Sequence, residues 1–335
     1  MRIAVDAMGG DFGPRVTVEG AVRASEDYNL EVLLVGVEAL IKKEFDKFRS
    51  SRGKITIVDA PEAIGMEEGV FSFRKKKKSS ILVGAQLVKD KSANAFVSMG
   101  NTAAVVFISK RMLGALNGVD RPALALLVPT LKGLTLLIDV GANANCLPHH
   151  LEQFAIMGRI FMESVLGLKN PRIGLMSIGE ESTKGNELTK ETFEKIQASP
   201  LNFIGNVEGK DIYSGKADVI VSDGFTGNVA LKASEGVVET LFFLVRHEIM
   251  KNVLARIGFF LMNRNLKRIY KKLDYSEYGG AHLLGIDGVC IIGHGRSNPN
   301  AVKNAVRVAK EFVTKNVKER IQQELSRARL GLNGI

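Results

Sequence analysis

Five short segments of this sequence join glycines to polar side chains, and each follows directly on a run of apolar residues. Glycine lets the backbone come close to a ligand, while Asn, Thr and Lys side chains supply hydrogen-bond donors. Where such a segment opens a helix, free N–H groups and the positive end of the helix dipole also attract anions. We therefore predict an anion site, with phosphate as the simplest ligand. The segments are residues 6–11, 100–102, 139–143, 179–186 and 222–228.

Any one of these segments has a purely structural explanation. Gly-Asn and Asp-Gly pairs form turns, and Thr102 or Asn186 would serve as ordinary helix caps. Five such segments together favour a binding site, and Lys184 is the one cation inside them. Because the carboxyl ends of parallel strands meet at one edge of a sheet, we expect the five segments to gather there.

Signatures of covalent and metal catalysis are missing from the sequence. It contains no G-x-G-x-x-G after a strand, no H-E-x-x-H and no G-x-S-x-G, and its five histidines form no convincing metal-ligand set. Cys146 lies near His149 and His150, which leaves a Cys–His nucleophile as an alternative, although a structural cysteine is favoured. The sequence therefore predicts an activity without a metal and without a cofactor.

Short β-rich runs alternate with segments of helical spacing. Most of the runs are continuously apolar, as strands buried on both faces are. The pattern predicts a three-layer α/β/α fold with a large, mostly parallel or mixed sheet of about ten strands. Without a Pro- or Ser-rich linker, we expect one catalytic domain, 1–335, with intertwined lobes. The ten runs are 2–6, 31–35, 54–59, 95–98, 123–128, 134–140, 172–177, 202–207, 218–222 and 289–292, and the helical segments include 15–25, 38–49, 80–89, 103–113, 150–165 and 188–198.

Composition limits the classes of protein and of partner. The chain has 335 residues, of which 45% are hydrophobic and 24% charged, so disorder along the whole length is excluded. Two cysteines cannot build a disulfide scaffold and the N-terminus does not resemble a signal peptide, so we expect a cytoplasmic protein. The net charge of +10 favours anionic partners, but no nucleic-acid-reading motif accompanies it.

Residues 227–273 contain no strand candidate and predict an inserted helical hairpin that turns near Gly258. Apolar residues at helical spacing share this segment with many cations. Three explanations stay open: docking of an acidic protein, an interfacial membrane helix, or a core-facing helix with a charged outer face. The cations proposed for contact with an acidic protein, which the resemblance described next implies is a carrier protein, or with a membrane are Arg256, Arg264, Lys267, Arg268 and Lys271. Beyond the hairpin, residues 300–329 predict one long amphipathic helix.

Successive motifs of the chain resemble those of the PlsX family, the acyl-acyl-carrier-protein:phosphate acyltransferases. The resemblance extends in order from Met1 to about Ser297, through DAMGGDFGP, GNTAA, RPA, DVGAN, IGEESTKGN, NFIGNVEGKDI, SDGFTGN and LDYSEYGGAHLLGIDG. It implies transfer of a fatty acyl group from acyl carrier protein to inorganic phosphate, for phospholipid synthesis. It also implies a fold similar to the isocitrate/isopropylmalate dehydrogenase and phosphotransacetylase group, a homodimer, and peripheral association with an anionic membrane near a downstream glycerol-3-phosphate acyltransferase.

One loop departs from the family pattern. After DVGAN the family continues with Asp, Cys, Lys, Pro and an acid, whereas this chain has Asn145, Leu147 and His149 at the positions of the two acids and the Lys. No catalytic role is therefore assigned to the residues at positions 145 and 147.

Chemistry and resemblance together suggest roles for the remaining loops. Phosphate attacks a thioester without a protein nucleophile, so the enzyme has to hold two anions together and stabilise a negative carbonyl oxygen. We predict that Asn143, Lys184, Asn186 and Asp223 are the catalytic residues. We assign phosphate binding to Gly100, Asn101, Thr102, Gly141 and Asn143. Lys184, with Gly185 and Asn186, neutralises the phosphate or the oxyanion, and Asp223, Thr226, Gly227 and Asn228 orient the acyl-phosphopantetheine end. Asp6 and Asp11 are expected to organise their loop.

Two other classes of function stay open at this stage. A nicotinamide-dependent decarboxylating dehydrogenase would share the expected fold, but it would need a set of metal-binding aspartates and a cofactor site, neither of which we find in the sequence. A non-enzymatic basic scaffold would bind membrane and acidic proteins without turnover.

Overall fold

The computed structural model describes residues 1–48, 53–273 and 275–329, which contain eleven strands and ten α-helices. The strands are β1 (Arg2–Asp6), β2 (Glu31–Gly36), β3 (Lys54–Asp59), β4 (Ala95–Ser98), β5 (Ala123–Thr130), β6 (Gly133–Ile138), β7 (Ile173–Met176), β8 (Phe203–Val207), β9 (Val219–Val221), β10 (Ala281–Leu284) and β11 (Cys290–Ile292). The helices are α1 (Gly13–Tyr28), α2 (Glu38–Phe45), α3 (Ser80–Lys89), α4 (Thr102–Leu113), α5 (Pro148–Leu166), α6 (Glu187–Gln197), α7 (Gly224–Met250), α8 (Val253–Leu273), α9 (Pro299–Thr314) and α10 (Val317–Arg329).

All eleven strands belong to one sheet in the order β3-β2-β1-β4-β11-β10-β5-β6-β9-β7-β8. Its two faces carry separate apolar cores, because successive residues of a strand point to opposite sides. Ile3 and Val5 of β1 join the core under α1, α5, α9 and α10, whereas Ala4 joins the core under α3 and α4. The three-layer α/β/α arrangement predicted from the sequence is confirmed.

The sheet reverses its direction near the middle. Strands β1 to β4 and β11 are mutually parallel, but β10 is antiparallel to both β11 and β5, and β6 is antiparallel to β5. Strands β7, β8 and β9 follow the direction of β6. The carboxyl ends of β1 to β4 therefore lie at one end of the sheet, and those of β6 to β9 lie at the opposite end.

Each of the ten predicted β runs contains a strand. The structure has one further strand, β10, which the sequence analysis did not predict. Strand β10 has only four residues and lies in a glycine-rich stretch, with Gly279 and Gly280 before it and Gly285 after it. Local composition favours a loop there, and the pairing with β5 and β11 makes it a strand.

Two helical boundaries differ from the prediction. The hairpin turns at Lys251 and Asn252 instead of Gly258, because the Asn252 side chain accepts a hydrogen bond from the Leu254 N–H at 2.8 Å and starts α8. The predicted helix over 300–329 is two helices. Asn316, with φ 51°, is left-handed between them, a conformation that Asn tolerates where helices end.

The hairpin of α7 and α8 leaves many apolar side chains in solvent. Ile257, Phe260 and Leu261 are 54%, 76% and 75% exposed. These three residues do not face a core, so the explanation of α8 as a core-facing helix is wrong for them. None of the helices in the described residues is long and apolar enough to cross a membrane.

Candidate active site

The reversal of the sheet separates the five predicted loops into two groups. Residues 6–11 and 100–102 follow β1 and β4 at one end, while residues 139–143, 179–186 and 222–228 follow β6, β7 and β9 at the other. The expectation that all five meet at one edge is therefore wrong. It assumed a parallel sheet, whereas the β5–β6 hairpin and β10 turn half of the strands around.

The first group is held together by a buried carboxylate. Asp6 accepts hydrogen bonds from the Met8 N–H at 3.1 Å and from the Ser98 hydroxyl at 2.7 Å, and Ser98 in turn accepts from the Gly100 N–H at 3.0 Å. Burial raises the pKa of Asp6, and these hydrogen bonds act in the opposite direction. As predicted, Asp6 organises its loop.

Asn101 caps α4 and ties it to the preceding segment. Its Oδ1 accepts from the Ala104 N–H at 3.1 Å, and its Nδ2 donates to the carbonyls of Met66 and Glu68 at 2.8 and 3.1 Å. The side-chain amide is thus occupied by the protein. Thr102 is exposed at the start of α4.

The second group is built around Asp139, which is buried directly after β6. Its carboxylate accepts from the backbone N–H groups of Leu124, Gly141, Ala142 and Asn143 at 2.8–3.0 Å. Burial raises the pKa of the Asp139 carboxyl, and the donated hydrogen bonds oppose that shift. Gly141 has φ +141°, a conformation that favours glycine, so the loop folds tightly around the carboxylate.

Asn143 joins this loop to helix α4. Its Nδ2 donates to Asp139 Oδ2 and to the Pro122 carbonyl, both at 2.8 Å, so the orientation of its amide is set. Its Oδ1 accepts from the ammonium of Lys110 at 3.1 Å. Lys110 therefore lies at the β6 end of the sheet, although it belongs to the helix that begins at the opposite end.

Asp223 caps α7 at the end of β9. Its Oδ1 accepts from the N–H groups of Phe225 and Thr226 at 3.0 and 2.9 Å, and its Oδ2 accepts from the Thr226 hydroxyl at 2.7 Å. Asp223 and Thr226 are thus satisfied by each other. The first N–H groups of α7 are used inside the cap rather than pointing to an open site.

Glycines bring the start of α7 against the Asp139 loop. A Cβ at Gly227 would lie 2.0 Å from the Asp139 carbonyl oxygen, and one at Gly224 would lie 2.7 Å from the Asn143 carbonyl oxygen. Asn228, the fifth residue of α7, is exposed and lies next to Gly141, where a Cβ would be 3.7 Å from the Asn228 side chain. The loops at residues 139–143 and 222–228 therefore form one surface.

The third loop of this group carries Lys184. Asn186 caps α6 by accepting a hydrogen bond from the Thr189 N–H at 2.9 Å. Gly185 has φ +113°, and a Cβ at this position would lie only 2.0 Å from the Thr189 hydroxyl oxygen. Lys184 is exposed, and its ammonium has no partner among the described residues. Neighbouring strands lie about 4.8 Å apart, so the ends of β6 and β7, with β9 between them, lie about 10 Å apart.

Cys146 does not form a nucleophilic pair with a histidine. Its thiol donates to the Asn143 carbonyl at 3.5 Å, while His150 Nδ1 accepts from the Leu147 N–H at 3.0 Å. Burial raises the pKa of the Cys146 thiol to about 11, so it is protonated at neutral pH. The structural interpretation of this cysteine is therefore the better one.

On the surface formed by the loops at residues 139–143 and 222–228, the described side chains without an intramolecular carboxylate partner are mostly cationic. The loop amides of residues 141–143 and of α7 are taken by Asp139 and Asp223, which leaves side chains to meet a ligand. Lys110 is half-buried, whereas Arg121, Lys184 and Asn228 are exposed. Such a surface can hold an anion mainly through ammonium and amide groups.

Lys110 is the residue that the sequence analysis missed. It stands in the apolar stretch AAVVFISKRML of a predicted helix, where a single Lys normally reaches solvent. Its distance from Asn143 along the chain, 33 residues, gives no local signal.

The cations proposed on the hairpin are described only in part. Arg256 and Arg264 are exposed on α8. The side chains of Lys267, Arg268 and Lys271 lie outside the described residues, so their roles stay predictions.

A protein-family model and several phosphate acyltransferases match almost the whole chain. The model of a family described as fatty acid synthesis protein matches residues 1–320. The phosphate acyltransferase of Trichlorobacter lovleyi is 47% identical over 327 residues, which covers 97% of this chain and 95% of that protein.

Solved structures of lower identity share the fold. A phosphotransacetylase from Streptococcus pyogenes superposes with a TM-score of 0.61 at 16% identity, covering 94% of both chains. A 4-hydroxythreonine-4-phosphate dehydrogenase from Burkholderia phymatum gives a TM-score of 0.51 at 14% identity, covering 93% of this chain and 98% of that one. The predicted relation to the phosphotransacetylase and dehydrogenase group of folds is confirmed. From the family match over residues 1–320 and the identity to a named phosphate acyltransferase, the chain belongs to the PlsX family of acyltransferases.

Proposed function

We propose that this acyltransferase moves a fatty acyl group from the thioester of acyl carrier protein to inorganic phosphate, which yields acyl phosphate and free carrier protein. The observation that carries the proposal is the cationic surface between residues 139–143 and the start of α7, on a chain of the phosphate acyltransferase family. Acyl phosphate then supplies a glycerol-3-phosphate acyltransferase.

The reaction needs one displacement at the thioester carbonyl. A phosphate oxygen forms a bond to the carbonyl carbon, the C–S bond breaks, and the proton of monohydrogen phosphate passes to the departing thiolate. Much of the phosphate is dianionic at neutral pH, since its second pKa is roughly 6 to 7, and a thiolate whose acid has a pKa of about 8.5 leaves readily. No protein nucleophile is required, in agreement with the protonated Cys146.

The main task of the protein is to hold charge. Lys184 approaches from the β7 loop and neutralises the phosphate or the developing oxyanion, with Gly185 and Asn186 shaping its loop. Asn228 offers an open amide beside Gly141. A well-placed oxyanion donor contributes about 3–4 kcal/mol to the transition state.

Asn143 and Asp223, which were predicted to be catalytic, act in this proposal by positioning. Asn143 is engaged with Asp139, Pro122 and Lys110, and Asp223 is engaged with the first turn of α7. Their hydrogen bonds keep the two loops together.

Gly100, Asn101 and Thr102 lie outside this phosphate surface in the proposal. Helix α4 rises about 12 Å from Thr102 to Lys110. The Asn101 amide is also occupied by backbone carbonyls.

The hairpin is our candidate for contact with partners. Its exposed apolar side chains, among them Phe260 and Leu261, need cover from a second copy or from the membrane interface. We propose that a homodimer covers part of α7 and α8, and that the exposed Arg256 and Arg264 meet anionic lipid or the acidic carrier protein.

The decisive assay incubates the protein with acyl-acyl-carrier-protein, with and without phosphate, and traps acyl phosphate with hydroxylamine. We expect phosphate-dependent release of free carrier protein together with a hydroxamate. Thioester loss that does not depend on phosphate, or no loss at all, would contradict the proposal. A dehydrogenase would instead reduce NAD(P), and a scaffold would bind the carrier protein without turnover.

A further inference from the structure

Lys110 presents an unusual combination of burial and missing charge partners. It is half-buried in the last turn of α4, and no carboxylate oxygen of the described residues lies within 4 Å of its ammonium. The ammonium donates a hydrogen bond to Asn143 Oδ1 at 3.1 Å. An ammonium has three protons, so its hydrogen-bonding capacity is not exhausted by this neutral acceptor.

A chain of hydrogen bonds sets the position of this ammonium. Asp139 accepts from Asn143 Nδ2 at 2.8 Å, the Pro122 carbonyl accepts from the same nitrogen, and the Asn143 oxygen is thereby turned toward Lys110. Such an arrangement restricts a side chain that normally samples many rotamers. The ammonium is therefore held beside the loop of residues 139–143, whose Gly141 faces Asn228.

Charged and titratable groups around Lys110 are few. Arg121 approaches from the segment before β5, and Asp139 and Cys146 approach from the loop before α5. Burial is the main cause that lowers the pKa of Lys110, Arg121 lowers it further, and Asp139 and Cys146 raise it. Two cations thus share a region with one buried carboxylate, which already accepts five hydrogen bonds from the protein.

We propose that Lys110 binds the inorganic phosphate directly, with Asn143 as the residue that positions it. The inference rests on the proposed phosphate acyltransferase activity and adds a residue to its site. A phosphate dianion beside Lys110 and Arg121 would supply the negative charge that this region lacks. A hydrogen bond from the ammonium to a phosphate dianion, in which both partners are charged, is stronger than the present bond to a neutral amide oxygen.

A structural role is the competing explanation, in which Lys110 only supports the Asn143 side chain. Charge and titration distinguish the two roles. An arginine at position 110 keeps the charge and, because its pKa is above about 12, stays protonated where Lys does not. A purely structural Lys110 would not link phosphate binding to its own titration.

The experiment compares Lys110→Met, Lys110→Arg and, as a matched control, Lys89→Met, which removes an exposed lysine from neighbouring α3. The KM for inorganic phosphate and kcat are measured from pH 7 to 10. For Lys110→Met we expect a phosphate KM that is about 10- to 100-fold higher, which corresponds to the loss of one charge-assisted hydrogen bond. Wild-type phosphate affinity should fall on the alkaline side at a pH below the ordinary Lys range, and Lys110→Arg should move that fall to higher pH. Lys89→Met should behave like the wild type.

A second measurement keeps this inference separate from the proposed activity. Inorganic phosphate is titrated against each variant, without carrier protein, while the thermal unfolding midpoint is followed. If phosphate raises the unfolding midpoint of the wild type but not that of Lys110→Met, the inference is supported. This holds even if the wild type forms no acyl phosphate. If Lys110→Met does not fold, the pH profile of Lys110→Arg decides. An unchanged phosphate KM in Lys110→Met, an unmoved alkaline fall in Lys110→Arg, or equal midpoint shifts in wild type and Lys110→Met would overturn it.

Discussion

At the scale of single residues, carboxylates shape the loops, and cations are left open to a ligand. Asp139 and Asp223 accept backbone N–H groups that a phosphate would otherwise use, so the open side of the surface falls to side chains. Lys184 is exposed and Lys110 is half-buried, which gives them different tasks. An exposed ammonium suits charge that develops during the reaction, whereas an ammonium held by a hydrogen bond suits binding of the ground state.

Replacing Lys184 with Ala should reduce turnover by about 100-fold or more, because one donor to the developing oxyanion is lost. The fold should be unaffected, since the Lys184 side chain is exposed. Acyl phosphate formation and the circular dichroism spectrum are the measurements. Lys195→Ala, on the outer surface of α6, is the control. Near-normal turnover of Lys184→Ala would remove this lysine from the mechanism.

At the scale of elements, the contact between α7 and the Asp139 loop decides whether the phosphate surface exists. Gly224 and Gly227 permit that contact because any side chain there would collide with backbone atoms of residues 139–143. Gly236, nine residues further along α7, has open space around it. Helix α7 therefore contains glycines whose replacement would cause a clash and another glycine whose replacement would not.

Gly227→Ala should destabilise the protein by about 1–3 kcal/mol and lower its activity, since the new Cβ would lie 2.0 Å from the Asp139 carbonyl oxygen. Gly236→Ala should instead be neutral or stabilising by up to about 1 kcal/mol, because Ala favours the helix. Urea unfolding of both variants makes the comparison. Equal stabilities would show that α7 does not press on the loop.

The projecting hairpin of α7 and α8 gives a second prediction at this scale. Reversing the charges of Arg264, Lys267 and Arg268 to Glu should weaken binding to anionic vesicles, because the attraction between surface charges is lost. Binding of the wild type should also fall steeply with salt. Vesicle sedimentation and carrier-protein binding are the measurements, with neutral vesicles and a Lys195→Glu variant as controls. Unchanged binding to both partners would contradict a docking role for these cations.

At the scale of the whole molecule, strands β10 and β5 lie between the two oppositely directed halves of the sheet. His282 lies in the middle of that junction, 1% exposed, against the rings of Phe161 on α5 and Phe312 on α9. Burial lowers the pKa of His282 to about 3. The imidazole is therefore neutral in the folded protein, whereas in the unfolded chain it titrates near 6.5.

The unfolded state consequently binds one more proton than the folded state between about pH 3 and 6.5, so stability is lost as the pH falls through that window. We expect His282 to lower the free energy of unfolding by about 2 kcal/mol from pH 7 to pH 5. Urea titrations at both pH values, on wild type and His282→Leu, isolate this contribution. His247→Leu, an exposed site on α7, is the control. The same pH loss in wild type and His282→Leu would disprove the assignment.

The sequence by itself determined the elements and the family of this protein. Buried strands and amphipathic helices have local periodicities, so ten strands and the helices between them could be placed without any knowledge of pairing. Glycine-rich loops likewise carried the resemblance to phosphate acyltransferases, which the relatives confirm.

Only the tertiary structure decided which of these loops meet. The antiparallel pairing of β5 with β6 and β10 separates residues 100–102 from residues 139–143, and helix α4 brings Lys110 to Asn143 across 33 residues. The sequence also did not decide whether Phe260 and Leu261 on the hairpin are exposed. Apolar residues have the same spacing in a helix that faces a core and in one that faces a partner. Contacts between distant segments depend on strand direction and packing, and neither leaves a periodic signal along the chain.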